Sequence, residues 1–204
     1  MDKAEATQAL AILRSVVMQA RDDTALHNWG RIWIAHGLAN AAGFIATNLL
    51  LDGGHRSAPL YLALWSGVTA TNLVAVLLLR SGRPGAGTRT FVDTQVRILW
   101  LGFLVSVAMV ATLDWLMGLG PTVLAPMIAV LAAVRCAAMG GLMGKHWYLG
   151  SVAFAASAFV MVAVPRWHFA ILGGVWGAAQ VLGGLWLERE KSRRVAAGAA
   201  ARLV

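Results

Sequence analysis

Residues 121–143 read PTVLAPMIAVLAAVRCAAMGGLM, an apolar run of helical length that carries one charge, Arg135. At 1.5 Å per residue it reaches across a hydrocarbon core of about 30 Å, so it reads as a membrane span. Five further stretches share this character: 32–51, 60–79, 99–119, 147–164 and 168–187. The 204-residue chain is 59 % hydrophobic with a mean hydropathy of +0.69, against roughly 45–50 % apolar residues in soluble domains. The fold class expected is all-α: a polytopic membrane protein of six transmembrane helices with an N-terminal amphipathic interfacial helix. The organisation follows as an interfacial segment 1–30, a six-helix transmembrane domain 31–188 and a basic tail 189–204. Little chain is left for a soluble catalytic domain.

Basic residues orient the bundle. With alternating connections, all but Arg56 and Arg166 of the 17 Lys and Arg fall on one side. The positive-inside rule makes that side, with both termini, cytoplasmic. The net charge of +8 and pI of 11.1 sit at helix ends, where they face anionic inner-leaflet lipids, rather than along a face suited to nucleic acid. The lipid bilayer is therefore the expected partner and nucleic acid is not. The charged start, Met1-Asp2-Lys3, precedes any apolar run by some distance and does not read as a signal peptide. Trp29, Trp33, Trp100, Trp147 and Trp186 fall at the inner boundary and Trp65, Trp115 and Trp167 near the outer one. Amphipathic rings prefer those levels. Trp176 alone falls near mid-depth.

Ahead of the first span, Ala6, Leu10, Leu13, Val17 and Ala20 recur at helical spacing with Arg14 and Arg21 at the edges. Such a stripe suits a helix lying in the inner headgroup layer. The alternative is a docking helix for a cytoplasmic partner or for a second copy of the chain, which leaves a homo-oligomer or a membrane-protein partner open. The glycine-rich segment 81–87 lacks the Gly-x-x-x-x-Gly-Lys-Ser/Thr pattern and a preceding strand, so it does not read as a phosphate loop.

Polar residues inside the spans are the site candidates. His36, Asn40, Gly43 and Thr47 share one face of the first span, and Gly173, Gly177, Gln180 and Gly184 form a stripe on the last. Helix packing accounts for both stripes. Depth adds a second reading. Counted from the inner boundary, His36 lies about 7 Å deep, Asn40 about 13 Å, Asn72 about 12 Å, Gln180 about 10 Å and Arg135 about 9 Å. These five form an inner-leaflet polar cluster that would favour an anionic headgroup or a small anion. Arg135 has two outcomes: it snorkels to the inner phosphates, or it anchors that pocket. Asp114 and Asn48 are the outer-side polar candidates, and Asp114 lies about 15 Å along the normal from Arg135, too far to pair with it comfortably.

No catalytic constellation emerges. The serines in the spans lack an adjacent His with an orienting acid, and no carboxylate pair shares a depth. His36 with His146, or His55 with His168, are the only pairings for a haem, and three of those four sit at boundaries or in a loop, so no cofactor or metal is expected. The single cysteine, Cys136, reads as a small buried hydrophobe.

Two segments carry a resemblance. Leu13-Arg14 through Met18, then Thr24-Ala25-Leu26, Trp29-Gly30 and Gly37, together with the closing run 177–184, resemble a family of uncharacterised bacterial six-helix integral membrane proteins. In that family a short amphipathic helix precedes Thr-Ala-x-x-x-Trp-Gly and the first span, and a His often stands where this chain has Gln180. The resemblance implies a bacterial cytoplasmic (inner) membrane location and brings no activity. The expected function is a non-enzymatic binding, sensing or scaffold role. A small-solute or ion transporter or oligomeric channel is the second reading, and a membrane-embedded enzyme the third.

Overall fold

The structure, a computed structural model, describes residue 8 and residues 28–79 and 91–200, the last with side chains over 94–193. All regular structure among these residues is helical: α1 (Trp29–Asp52), α2 (Ala58–Leu79), α3 (Phe91–Met117), α4 (Pro121–Met143), α5 (Trp147–Ala163), a 3₁₀ turn (Pro165–Trp167) and α6 (His168–Ala200). Five helices are long and apolar enough to cross a membrane. α5 is apolar but has 17 residues, about 25 Å of rise. The amphipathic segment before the first span and the glycine-rich connection lie outside the described residues.

Three boundaries extend beyond the apolar runs. α1 starts at Trp29, α3 at Phe91, and α6 continues from the last apolar residues through Ala200. Hydropathy marks where lipid ends, not where backbone hydrogen bonding stops. α4 agrees with its apolar run at both ends: Pro121 occupies the first turn, where its missing N–H costs nothing, and Gly144 follows with a φ of 123°.

The bundle is built on α1 against α6 and α4 against α5, with α5 and α4 also touching α6. Glycine sets the first pairing. A Cβ at Gly184 would stand 2.5 Å from the Gly30 carbonyl oxygen and one at Gly177 3.0 Å from the Ala41 Cβ, so the two backbones touch. The face of α1 that does this carries Gly30, Gly37 and Ala41; the face with His36, Asn40 and Gly43 turns instead toward α2, where Gly43 meets Val68. The expected packing role of both stripes stands, but they do not pack on each other.

α2 rests on α1 and α3 on α4, and near the basic end Val76 and Leu79 of α2 join the same apolar cluster as Val96, Leu99 and Trp100 of α3. Neither buries much of itself. Their outward leucines and valines meet lipid if the bundle is embedded.

At the end bearing Arg31 and Lys191, Asn28 adopts a left-handed φ of 57°, a conformation asparagine tolerates. Its Nδ2 donates to the Leu79 carbonyl at 3.2 Å and its Oδ1 accepts from Lys191 Nζ at 2.7 Å, tying α2 and α6 to the start of α1. We call this the basic end. At the far end Arg166 forks onto the Asp52 carboxylate with two 3.0 Å hydrogen bonds.

Candidate functional site

Arg135 projects from α4 into the space bounded by α3 and α6. Its side chain is on the inward face of a helix whose neighbours on that face, Ala132 and Met139, are also buried. The residue is 6 % exposed. The guanidinium does not snorkel. Its Cζ stands 4.0 Å from the centroid of Trp100, 4.7 Å from Phe103 and 5.1 Å from Trp176, a cation held among three aromatic rings. No carboxylate lies within ion-pairing distance of it among the described residues. Nη1 is buried without a hydrogen-bond partner.

Gln180 stands one turn beyond Trp176 on α6, its Cβ 2.9 Å from where a Cβ on Gly37 would be. It is 2 % exposed, and neither its Oε1 nor its Nε2 has a partner. The Trp176 ring, 4 % exposed, also leaves its Nε1 unpartnered. Buried polar atoms are nearly always satisfied, and each exception calls for a reason.

The other three members of the expected cluster form a separate, bonded set. His36 Nε2 donates to the Asn72 carbonyl at 3.2 Å, Asn72 Nδ2 donates to Asn40 Oδ1 at 3.4 Å, and Asn40 Nδ2 donates to the His36 carbonyl at 2.7 Å. All three are half-buried between α1 and α2. Trp100 links the two sets. Its ring centroid is 6.4 Å from that of His36, and its face carries Arg135.

The outer-side candidates do not extend the site. Asn48 is buried, and its Oδ1 accepts from the Ala170 N–H at 3.3 Å, which satisfies a first-turn donor of α6. Asp114 is half-buried on α3 with its Oδ1 unpartnered, and it forms no ion pair with Arg135. Cys136 is buried at 2 % exposure, as a small core residue would be.

The aromatic cage was not among the expected site residues. Trp100 reads from sequence as a lipid–water anchor, and the structure turns its ring inward onto Arg135. Trp33 and Trp147 turn inward as well: they bury at 3 % and 6 % exposure with centroids 4.2 Å apart, closing the basic end of the core. Position along a span gives depth but not which way a ring faces. Trp176, alone near mid-depth, was the one available signal. Comparison of the chain with known family models, with curated proteins and with solved structures finds no match.

Proposed function

We propose that this chain is a six-crossing integral protein of the bacterial inner membrane, with both termini cytoplasmic, that binds or senses a monovalent anionic group at Arg135 and is not an enzyme. The observation that carries the reading is a set of buried, unpartnered donors: Nη1 of the caged Arg135, Nε1 of Trp176, whose ring lies against it, and Nε2 of Gln180 one helical turn further along α6. Gln180 Oε1 is the single unpartnered acceptor on these three side chains. An occupant must accept more hydrogen bonds than it donates. Arg135 is the one buried Lys, Arg, Asp or Glu among the described side chains, so one negative charge balances it. A second would be left buried and unpaired at a cost of several kcal/mol.

Topology rests on the basic end and on α5, whose 17 residues are at the short limit for a span. An Ala86→Cys variant is expected to react with an impermeant thiol reagent only after permeabilisation. Labelling of intact cells would overturn the orientation.

For binding, a monovalent carboxylate is titrated into the purified protein in phosphatidylcholine nanodiscs while tryptophan emission is followed. A saturable change, lost in Arg135→Gln, is expected from rings that touch the site. An equal response in both proteins would overturn the reading. Flux of an anion through protein-containing liposomes, lost in Arg135→Ala and Asn72→Ala, would replace binding by transport.

A further inference from the structure

Of the five tryptophans that fall at the basic-end boundary by sequence, the structure leaves one exposed. Trp33 and Trp147 are buried and Trp29 and Trp100 half-buried, whereas Trp186 is 42 % exposed. Its ring lies against that of His146, with centroids 3.9 Å apart. The stack holds the connection Gly144-Lys145-His146, between α4 and α5, against α6 where its apolar run gives way to charge.

Around Trp186 the chemistry is ordered along the helix. Leu182, Leu185, Trp186, Arg189 and Arg193 recur at spacings of three and four on one face of α6, and all five are exposed. Toward the basic end that face passes from leucine to indole to guanidinium over about 16 Å of helix. Lys145, the chain neighbour of His146, is also exposed and adds a third cation from the connection. Two acids lie nearby. Glu188 is turned toward α1, 3.6 Å from Arg31, and the half-buried Glu190 stands at the edge of the face, so three cations face one acid.

We infer that this face of α6, together with Lys145, seats an anionic phospholipid of the basic-end leaflet, with its phosphate among Lys145, Arg189 and Arg193 and an acyl chain along Leu185 and Leu182. The inference rests on α6 as a membrane span and is independent of the anion site at Arg135. Charge complementarity selects the occupant. A zwitterionic head brings an ammonium that the cations oppose, whereas an anionic head brings none, and each Lys or Arg beside an anionic surface is worth about a fivefold gain in binding. The indole suits the level between head and chain. An acidic protein segment would answer the cations but leave the deeper leucines without a counterpart.

The test places the full chain in phosphatidylcholine nanodiscs with increasing fractions of dibrominated phosphatidylglycerol or, in parallel, dibrominated phosphatidylcholine, whose bromines quench tryptophan on contact. The Trp186 signal is the difference between the unsubstituted protein and Trp186→Phe. Phosphatidylglycerol is expected to half-quench it at a fraction at least tenfold lower than phosphatidylcholine does. That advantage should fall about fivefold in Arg189→Gln and about as much again when Lys145→Gln is added. Quenching by brominated phosphatidylcholine should stay the same in these variants, which checks that the bundle is intact. An equal half-point for the two lipids would overturn the seat, and so would an advantage that survives the double substitution. Polyglutamate that shifts the Trp186 signal, with no preference between the lipids, would give the face to an acidic protein segment instead. Quenching by neither lipid would overturn α6 as a span. Carboxylate titration of Arg135 is read separately, so none of these outcomes is confused with failure of that site.

Discussion

Arg166 and Arg135 are the same side chain in opposite surroundings. Arg166 sits in the exposed turn before α6, and the Asp52 carboxylate at the end of α1 meets its fork with two hydrogen bonds. Charge and geometry are both answered there by the protein itself. Arg135 is buried, has rings on its faces, and has a nitrogen with nothing to donate to. A desolvated cation–π contact is worth about 2 kcal/mol, whereas burying an ion costs several kcal/mol even after relaxation. The cage offsets part of that penalty and a carboxylate would offset more, yet the acid on the neighbouring helix, Asp114, is not paired with it. The clasp is complete as folded; Arg135 keeps one buried nitrogen without a partner.

That contrast is open to direct attack. Replacing Arg135 by leucine is expected to weaken carboxylate binding by a hundredfold or more, in line with the 2–5 kcal/mol lost when one partner of a buried charge pair is truncated. The same change should leave stability unaltered or raise it by about 1–4 kcal/mol, because an apolar group replaces an uncompensated ion. Thermal unfolding in nanodiscs beside the binding titration reads both. A loss of stability with no loss of binding would make Arg135 a second structural arginine. Gln180→Leu should weaken binding about tenfold, since a hydrogen bond to a charged group is worth about 1.5–3 kcal/mol. Its unpartnered amide means that stability should not fall. Trp100→Leu removes the ring closest to Arg135 and should cost a few-fold in affinity, provided that His36 keeps its bond to Asn72.

Much of this was legible before the fold. The limits of α4 could be read because proline and glycine bracket its apolar run, and the shared layer of His36, Asn40 and Asn72 could be read from helical rise alone. Depth, though, is one coordinate of two. The azimuth of Trp100, and therefore the cage, depends on how α3 is rotated against α4, and an apolar span with no polar face offers no period to fix that rotation. For the same reason the glycines of α6 announced close packing but not that Gly30, Gly37 and Ala41, rather than the His36 face, would receive them. Asn48 shows the converse. Its polarity inside a span drew it into the outer-side candidates, when its partner is a backbone N–H of α6 122 positions later.

The smallest effect is expected at the clasp. Asp52→Asn keeps an oxygen that can accept one bond from Arg166 but removes the charge, and the pair is exposed on both sides. Exposed pairs are screened by salt and are worth little. Thermal unfolding of Asp52→Asn, Arg166→Gln and the double variant, at low and high salt, should give a coupling smaller than any effect above and erased at high salt. Carboxylate affinity should be unchanged in all three. The comparison fails in an informative way if Asp52→Asn weakens binding as much as Gln180→Leu. Asp52 ends α1 and Arg166 lies in the turn leading into α6, the two helices whose glycine seam carries Gln180, so such a result would mean that the clasp sets the pairing of α1 and α6 around the cage. The two arginines would then be the two ends of one device.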